Sequence, residues 1–201
     1  MVSIKIYIEG GGDGKDLDSR FREAWTKFFQ AADLKGKMPR PIRGKGRINT
    51  FDLFCTALKN QKKDELPLLL VDSEEPVASS HTAWQHLKAR DNWDKPAKAG
   101  DEHAYLMAQV METWLLADPE ALQAYFGSKF KVNKIPAWID LESQSKEKIF
   151  DVLEKTTAAC GEKSYSKGKA SFEVLSAVSP KKVAEKCPNA ARFLLFLANH
   201  K

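Results

Sequence analysis

Three predicted strands of this chain end in acid. Glu9 follows the alternation Ile4, Ile6, Ile8; Asp72 and Glu74 follow the unbroken apolar run Leu66 to Val71; and Glu112 comes just after "AQVM". In an open α/β sheet the carboxyl ends of parallel strands share one edge, where such folds place their ligands, so these acids are expected to converge. Converging carboxylates repel and raise one another's pKa unless a cation neutralises them, and an all-oxygen donor set favours Mg²⁺ or Mn²⁺ over zinc. Asp13 lies just beyond Glu9, across the glycines of "EGGGDGKD". A tight glycine turn would bring Glu9 and Asp13 to one ion and leave backbone N–H groups for phosphate oxygens. The competing reading makes Glu9 a solvated strand end and Asp13 a helix cap.

Other chemistries find less support. The residue five before Gly14 is Glu9, and Lys15 is followed by Asp16, so the glycines do not form a P-loop, which needs GxxxxGK followed by Ser or Thr. A dinucleotide fingerprint fails too, because Lys15 stands where its last glycine would fall counting from Gly10. His81 and His86 are five apart and do not align on one helix face, and His103 and His200 have no evident partners. Cys55, Cys160 and Cys187 form no CxxC pair, which argues against both a disulfide framework and a zinc knuckle. No Ser or Cys sits in a nucleophile elbow.

The net charge of +5 is unevenly spread. "LKGKMPRPIRGKGR" carries Lys35, Lys37, Arg40, Arg43, Lys45 and Arg47 without an acid, and "KSYSKGKASF" carries Lys163, Lys167 and Lys169. Basic clusters beside acidic motifs suit a protein that must attract phosphates while holding a cation; a solvated basic loop gives the same pattern.

The elements that must position these residues read as follows. Strand Ile4 to Ile8 is followed by a helix with Leu17, Phe21, Trp25, Phe28 and Phe29 on one stripe. "MPRPIR" suits a short edge strand, and "NTFDLFCTALKNQ" a helix capped by Asn49 or Thr50. The run Leu66 to Val71 is what a parallel strand covered on both faces requires. A helix around "HTAWQHLKAR" leads to a fourth strand, Tyr105 to Val110, and Glu112 turns the chain into a helix. Beyond Pro119 the pattern is mainly helical, near residues 120–126, 144–159, 169–177 and 189–198. Among the aromatics, Trp84, Trp93, Trp114 and Trp138 are candidates to stack on bases; Trp114 reads better as core, and Trp93, in a loop with Lys95 and Lys98, as the one to meet nucleic acid.

With 201 residues, 10% aromatic and 29% charged, the chain is expected to be one globular α/β domain: a core over residues 1–118 and a helical extension over 119–201 packed on it. The absence of a membrane-length apolar run and of a signal-peptide pattern makes the cytoplasm the expected compartment, with no membrane partner.

A strand followed by "EGGGD", and a later one followed by "DSE", resembles the signature of the TOPRIM superfamily, which includes topoisomerases, bacterial primases, the small ribonuclease that matures ribosomal RNA, and OLD-type nucleases. "AQVMETWLLADPEALQAYFG", "KSYSKGKASFEVLSAV" and "KCPNAARFLLFL" extend the likeness over nearly the whole chain, to uncharacterised bacterial TOPRIM-like proteins often encoded beside an ABC- or SMC-type ATPase and linked with anti-phage defence. The resemblance implies a TOPRIM-like Rossmannoid fold with a mainly parallel sheet of about four strands, and Mg²⁺- or Mn²⁺-dependent cleavage of DNA or RNA. On this likeness Glu9 is the acid/base or metal-ligating glutamate, Asp13 the acid of the following turn, Asp72 and Glu74 the metal pair, and Glu112 a ligand for a second ion. Glu74 stands where many members carry Asp, and the adjacent Glu75 leaves open which acid points inward. Lys167 or Lys169 would neutralise the pentacovalent phosphate, while Arg40, Arg43, Lys45, Arg47 and Lys167 would bind the nucleic-acid backbone. Two rivals stand beside this reading: a non-catalytic interaction or nucleic-acid-binding subunit of an ATPase complex, and phosphoryl transfer of the primase kind.

Overall fold

The computed structural model describes residues 2–10, 15–34, 36 and 38–200. Asp13, Lys35 and Lys37 lie outside the described residues. Four parallel strands form the sheet: β1 (Ser3–Ile8), β2 (Arg40–Arg43), β3 (Glu65–Asp72) and β4 (Ala104–Met107), in the order β2-β1-β3-β4. β1 pairs with β2 on one side, Ile6 opposite Pro41, and with β3 on the other, Ile6 opposite Leu68. β4 closes the far edge with Leu70 opposite Tyr105 and Asp72 opposite Met107. The chain steps outward from β1 to β2 and then crosses back over β1 to β3. The direction of winding therefore reverses between β1 and β3, and it is at such a point that a crevice opens beyond the strand ends.

Strand alternation divides the core in two. Ile4, Ile6 and Ile8 of β1, with Leu66, Leu68 and Leu70 of β3, face helix α1 (Lys15–Ala31), whose Phe21, Trp25, Phe28 and Phe29 recur at helical spacing and are wholly buried. Tyr7, Leu69, Val71 and Leu106 point to the opposite face, against Phe54 and Leu58 of α2 (Arg47–Lys59) and Trp84 and Leu87 of α3 (Ala83–Asp91). Covering on both faces explains why β3 needs an unbroken apolar run. Tyr7, between the isoleucines of β1, is buried too, in the second core.

The remaining α-helices among the described residues are α4 (Glu112–Leu116), α5 (Pro119–Phe126), α6 (Lys146–Thr157), α7 (Lys169–Leu175), α8 (Pro180–Lys186) and α9 (Pro188–Asn199). Leu122, Leu153, Phe172 and Phe193 from this region join the same core as α1 and β1. Trp114 is fully buried there, stacked on Phe28 at a centroid distance of 5.6 Å. Truncating a buried aromatic of this kind costs about 3–5 kcal/mol. Buried carboxylates tie the helices down: Asp118 accepts from Ala121 N–H at the start of α5, Ser179 N–H and the Lys182 ammonium, and Glu142 accepts from Asn189 N–H at the start of α9.

Three local expectations differ from the structure. The fourth strand stops at Met107, where the ladder falls out of step: Ser73 N–H donates to Met107 O in register, but the bond to Gln109 O comes from Glu74, one residue early. Asn49 and Thr50 do not cap α2, which begins at Arg47; they sit in its first turn, Asn49 donating to Gly44 O and Thr50 to Gly46 O. A Cβ on Gly44 would lie 1.8 Å from Thr50 Oγ1, so this turn requires glycine. Short α8, unforeseen, follows Ser179 with proline in its first turn.

Candidate functional site

Glu9 leaves the end of β1 and Asp72 is the last residue of β3, so pairing of these neighbouring strands sets the two acids side by side. Glu74, two residues on, completes a group of three carboxylates whose oxygens lie within 4.8 Å of one another. The backbone at Glu74 is left-handed, with φ 62°, a conformation that costs a non-glycine residue about 1 kcal/mol. Two contacts hold it there: Glu74 N–H to Gln109 O, and buried His86, whose Nε2 lies 2.9 Å from Ser73 O. Glu75 is exposed and outside the group.

These acids line a cleft of about 400 Å³ together with Glu112, Met111, Leu17, Gly46, Lys167 and Ser171. Glu112, buried at the start of α4, is held by two hydroxyls, Tyr165 Oη and Ser171 Oγ, both 2.9 Å from Oε1. A common pattern runs through all four carboxylates. Glu9 Oε2 accepts from Arg47 Nη1 (2.8 Å) and Asp72 N–H (3.3 Å); Asp72 Oδ1 accepts from Met111 N–H (2.9 Å); Glu74 Oε2 accepts from Lys146 Nζ (2.7 Å). In each, the second oxygen has no hydrogen-bond partner among the described residues. One oxygen orients the group and the other is left to a ligand, the arrangement by which outer contacts fix metal-binding side chains.

Charge shapes the floor of the cleft. Burial pushes the Asp72 carboxyl well above the usual carboxylate range, and Glu9, Glu112 and Glu74 add to the rise while Lys167 opposes it. Glu9 is also raised, by burial first, with Arg47 pulling against it. Burial would raise Glu74 as well, but Lys146 first, with Arg90 and Arg47, outweighs it and leaves the group lowered.

The basic residues expected to meet nucleic acid divide into two sets. Arg47 is built into the site: besides Glu9 it grips Asp91 with Nε and Nη2, at 2.8 and 2.7 Å, and donates to Asp72 O at 2.6 Å. Arg43 is buried, donating to Gly10 O and pairing with Asp18 at 2.6 Å. Lys45, 3.5 Å from Asp18, and Arg40 on β2 are at the surface. Lys167 reaches the cleft, its ammonium 5.1 Å from the Phe150 ring centre, whereas Lys169, exposed at the start of α7, is not among the residues lining it. Trp93 lies flat on Phe51 at 4.2 Å with the Arg47 guanidinium 5.2 Å from its ring centre, so the indole braces the site. Trp84 is buried and donates to Gly100 O. The glycine turn's other acid, Asp13, lies outside the described residues.

Lys146, Asp91, Tyr165 and Ser171 escape the sequence reading. Each is brought in from a distant element, and the only signal was the position of Tyr165 and Ser171 within the basic segment already singled out.

Fold and site together define a doubly wound, parallel α/β protein with a carboxylate-floored cleft where its winding reverses. The chain belongs to the family DUF4276, described as a domain of unknown function, whose model matches residues 8–198. No curated protein and no solved structure matches it. No helix among the described residues is long and apolar enough to cross a membrane.

Proposed function

We propose that this chain is a TOPRIM-like, metal-dependent nuclease that cleaves phosphodiester bonds of DNA or RNA. The observation that carries the reading is the meeting of Glu9, Asp72 and Glu74 within 4.8 Å, each with one oxygen oriented by the protein and one to spare. The donor set fits Mg²⁺ or Mn²⁺: it is all oxygen, and mutual repulsion at the buried Asp72 is what a divalent cation relieves. Glu9, Asp72 and Glu74 would hold the ion, with Glu112 beside them for a second and Asp13 a further candidate. When bound, the ion supplies Lewis acidity toward the phosphodiester and the attacking water.

The chain's own groups supply the rest. Glu9, anchored through Oε2 by Arg47, would give its other oxygen either to the ion or, as a general base, to a proton of the attacking water. Lys167 brings positive charge to the cleft opposite the acids and would balance charge building on the phosphate. Lys169, exposed and outside the cleft lining, and the surface residues Lys45 and Arg40 are placed to guide the strand toward the cleft. Arg43 and Arg47 act instead as internal counter-ions.

Resemblance to TOPRIM-like proteins encoded beside ATPases supports a role as the effector of an ABC- or SMC-type ATPase in anti-phage defence, acting in the cytoplasm. The rival is a non-catalytic interaction or nucleic-acid-binding subunit of such a complex. It is favoured by one observation: Arg47 and Lys146 already neutralise Glu9 and Glu74 without a cation. Incubating the purified protein, with and without the neighbouring ATPase, with plasmid DNA and total RNA in Mg²⁺ or Mn²⁺ separates the two. Fragments that require metal and vanish in Glu9→Ala support the nuclease. Intact substrates in every mixture support the rival.

A further inference from the structure

The two cations bound to the carboxylate group are held very differently. Arg47 is fixed on all sides. Its guanidinium makes a two-point contact with Asp91, bonds Asp72 O, lies against Trp93, and its side chain is only 14% exposed. Moving it would break its contacts with Glu9, Asp91 and Asp72 O together and leave a buried guanidinium unpaired, so Glu9 keeps its partner. Among the described residues Lys146 makes one ion pair, to Glu74 Oε2, from the first turn of α6, and its side chain is 39% exposed. A lysine is a point charge on a flexible four-carbon stem, which water solvates well once it swings free.

We propose that Lys146 is a displaceable counter-ion: it neutralises Glu74 through Oε2 when the cleft holds no divalent ion, and an ion arriving at the spare Oε1 takes over that neutralisation and repels the ammonium. This rests on the metal-dependent reading of the same site. The backbone geometry fits the role. Glu74 is pinned in its left-handed conformation by Gln109 and, through Ser73, by His86, so its carboxylate faces Asp72 and Glu9 whichever cation it holds. The exchange therefore requires motion of one side chain and none of the strand ends. It also sets a threshold, because the ion must overcome an ammonium already in place, and it frees that ammonium beside the cleft.

The test is isothermal titration calorimetry of MnCl₂ into the full-length chain and two variants, Lys146→Met and Lys148→Met. Lys148 is exposed two residues on, on the other side of the same helix, so its variant removes equal charge without touching Glu74 and reports long-range electrostatics alone. Lys146→Met is expected to bind Mn²⁺ about fivefold more tightly than the parent, as for loss of a half-exposed ion pair, with Lys148→Met within about twofold of the parent. Equal tightening in both variants, or none in Lys146→Met, overturns the exchange while leaving the metal site standing. No Mn²⁺ binding by any of the three proteins overturns the metal reading, and the exchange with it.

Discussion

The Tyr165 hydroxyl donates to Glu112 Oε1 at 2.9 Å across 53 residues of chain, and Ser171 reaches the same oxygen from the first turns of α7. The helical half of the molecule thus holds an acid of the cleft, beyond covering the sheet. Burial and the Glu112 charge together push the Tyr165 phenol far above its ordinary value, so it stays a donor at any working pH.

Tyr165→Phe is expected to destabilise the fold by about 1.5 kcal/mol, the usual worth of a hydrogen bond to a charged group. Tyr165→Phe combined with Ser171→Ala should cost more than the sum, because the buried Glu112 oxygen then loses both donors. Urea unfolding of the single and double variants measures this; strict additivity would show that the two hydroxyls act independently.

Asp72→Asn is expected to cut cleavage at least ~100-fold while raising thermal stability in the absence of metal, since it removes a charge that burial and three acids oppose. Because the folded Asp72 holds its proton more tightly than the unfolded chain does, its favourable contribution is full below the ordinary aspartate range and is lost as pH rises through the elevated value. The stability gain of the variant should therefore be absent near pH 4 and grow on going toward pH 8, reaching a few degrees in Tm. Calorimetric scans across that range decide it, and a gain largest at low pH would contradict the sign.

Arg47→Lys should be severe despite its conserved charge. It removes the two-point grip on Asp91, and a single ammonium cannot serve Glu9, Asp91 and Asp72 O at once, at a cost of about 3 kcal/mol. A midpoint of urea unfolding within error of the parent would show that the guanidinium geometry is dispensable.

Nucleic-acid binding, measured with Asp72→Asn to prevent cutting, is expected to weaken with salt. Lys45→Ala and Lys167→Ala should each reduce the slope of log K against log salt by about 0.7–0.9, one phosphate contact apiece. Arg43→Ala should leave the slope nearly unchanged and lower stability instead, since Arg43 is committed to Asp18 and Gly10. A full unit lost with Arg43 would place it on the strand.

The acids were legible in the sequence because a parallel sheet turns a one-dimensional cue, an apolar run ending in a carboxylate, into a three-dimensional one: neighbouring strands carry their end residues to one edge. The identity of their partners was not, because Lys146, Asp91 and Tyr165 arrive from helices and loops whose docking depends on packing, which periodicity does not encode. Lys146 is one lysine among several on a polar helix, with nothing local to mark it. Arg47 reads as one member of a basic stretch, and only the turn through Gly44 and Gly46 aims it inward. The fourth strand's limit was missed for a similar reason: Val110 is as apolar as Leu106, but the ladder there belongs to Glu74 and Gln109.

The order β2-β1-β3-β4 places Glu9 and Asp72 at the ends of the two interior strands, whose amides are paired on both sides, while Lys146 and Lys167 ride on segments outside the sheet. In hydrogen exchange the two halves of the site should belong to different cooperative units, the strands opening only with the whole fold and the peripheral helices opening earlier. A molecule whose periphery has opened would keep its negative floor and lose the positive charges that offer it a phosphate, so partial unfolding would silence the cleft before it dismantled it.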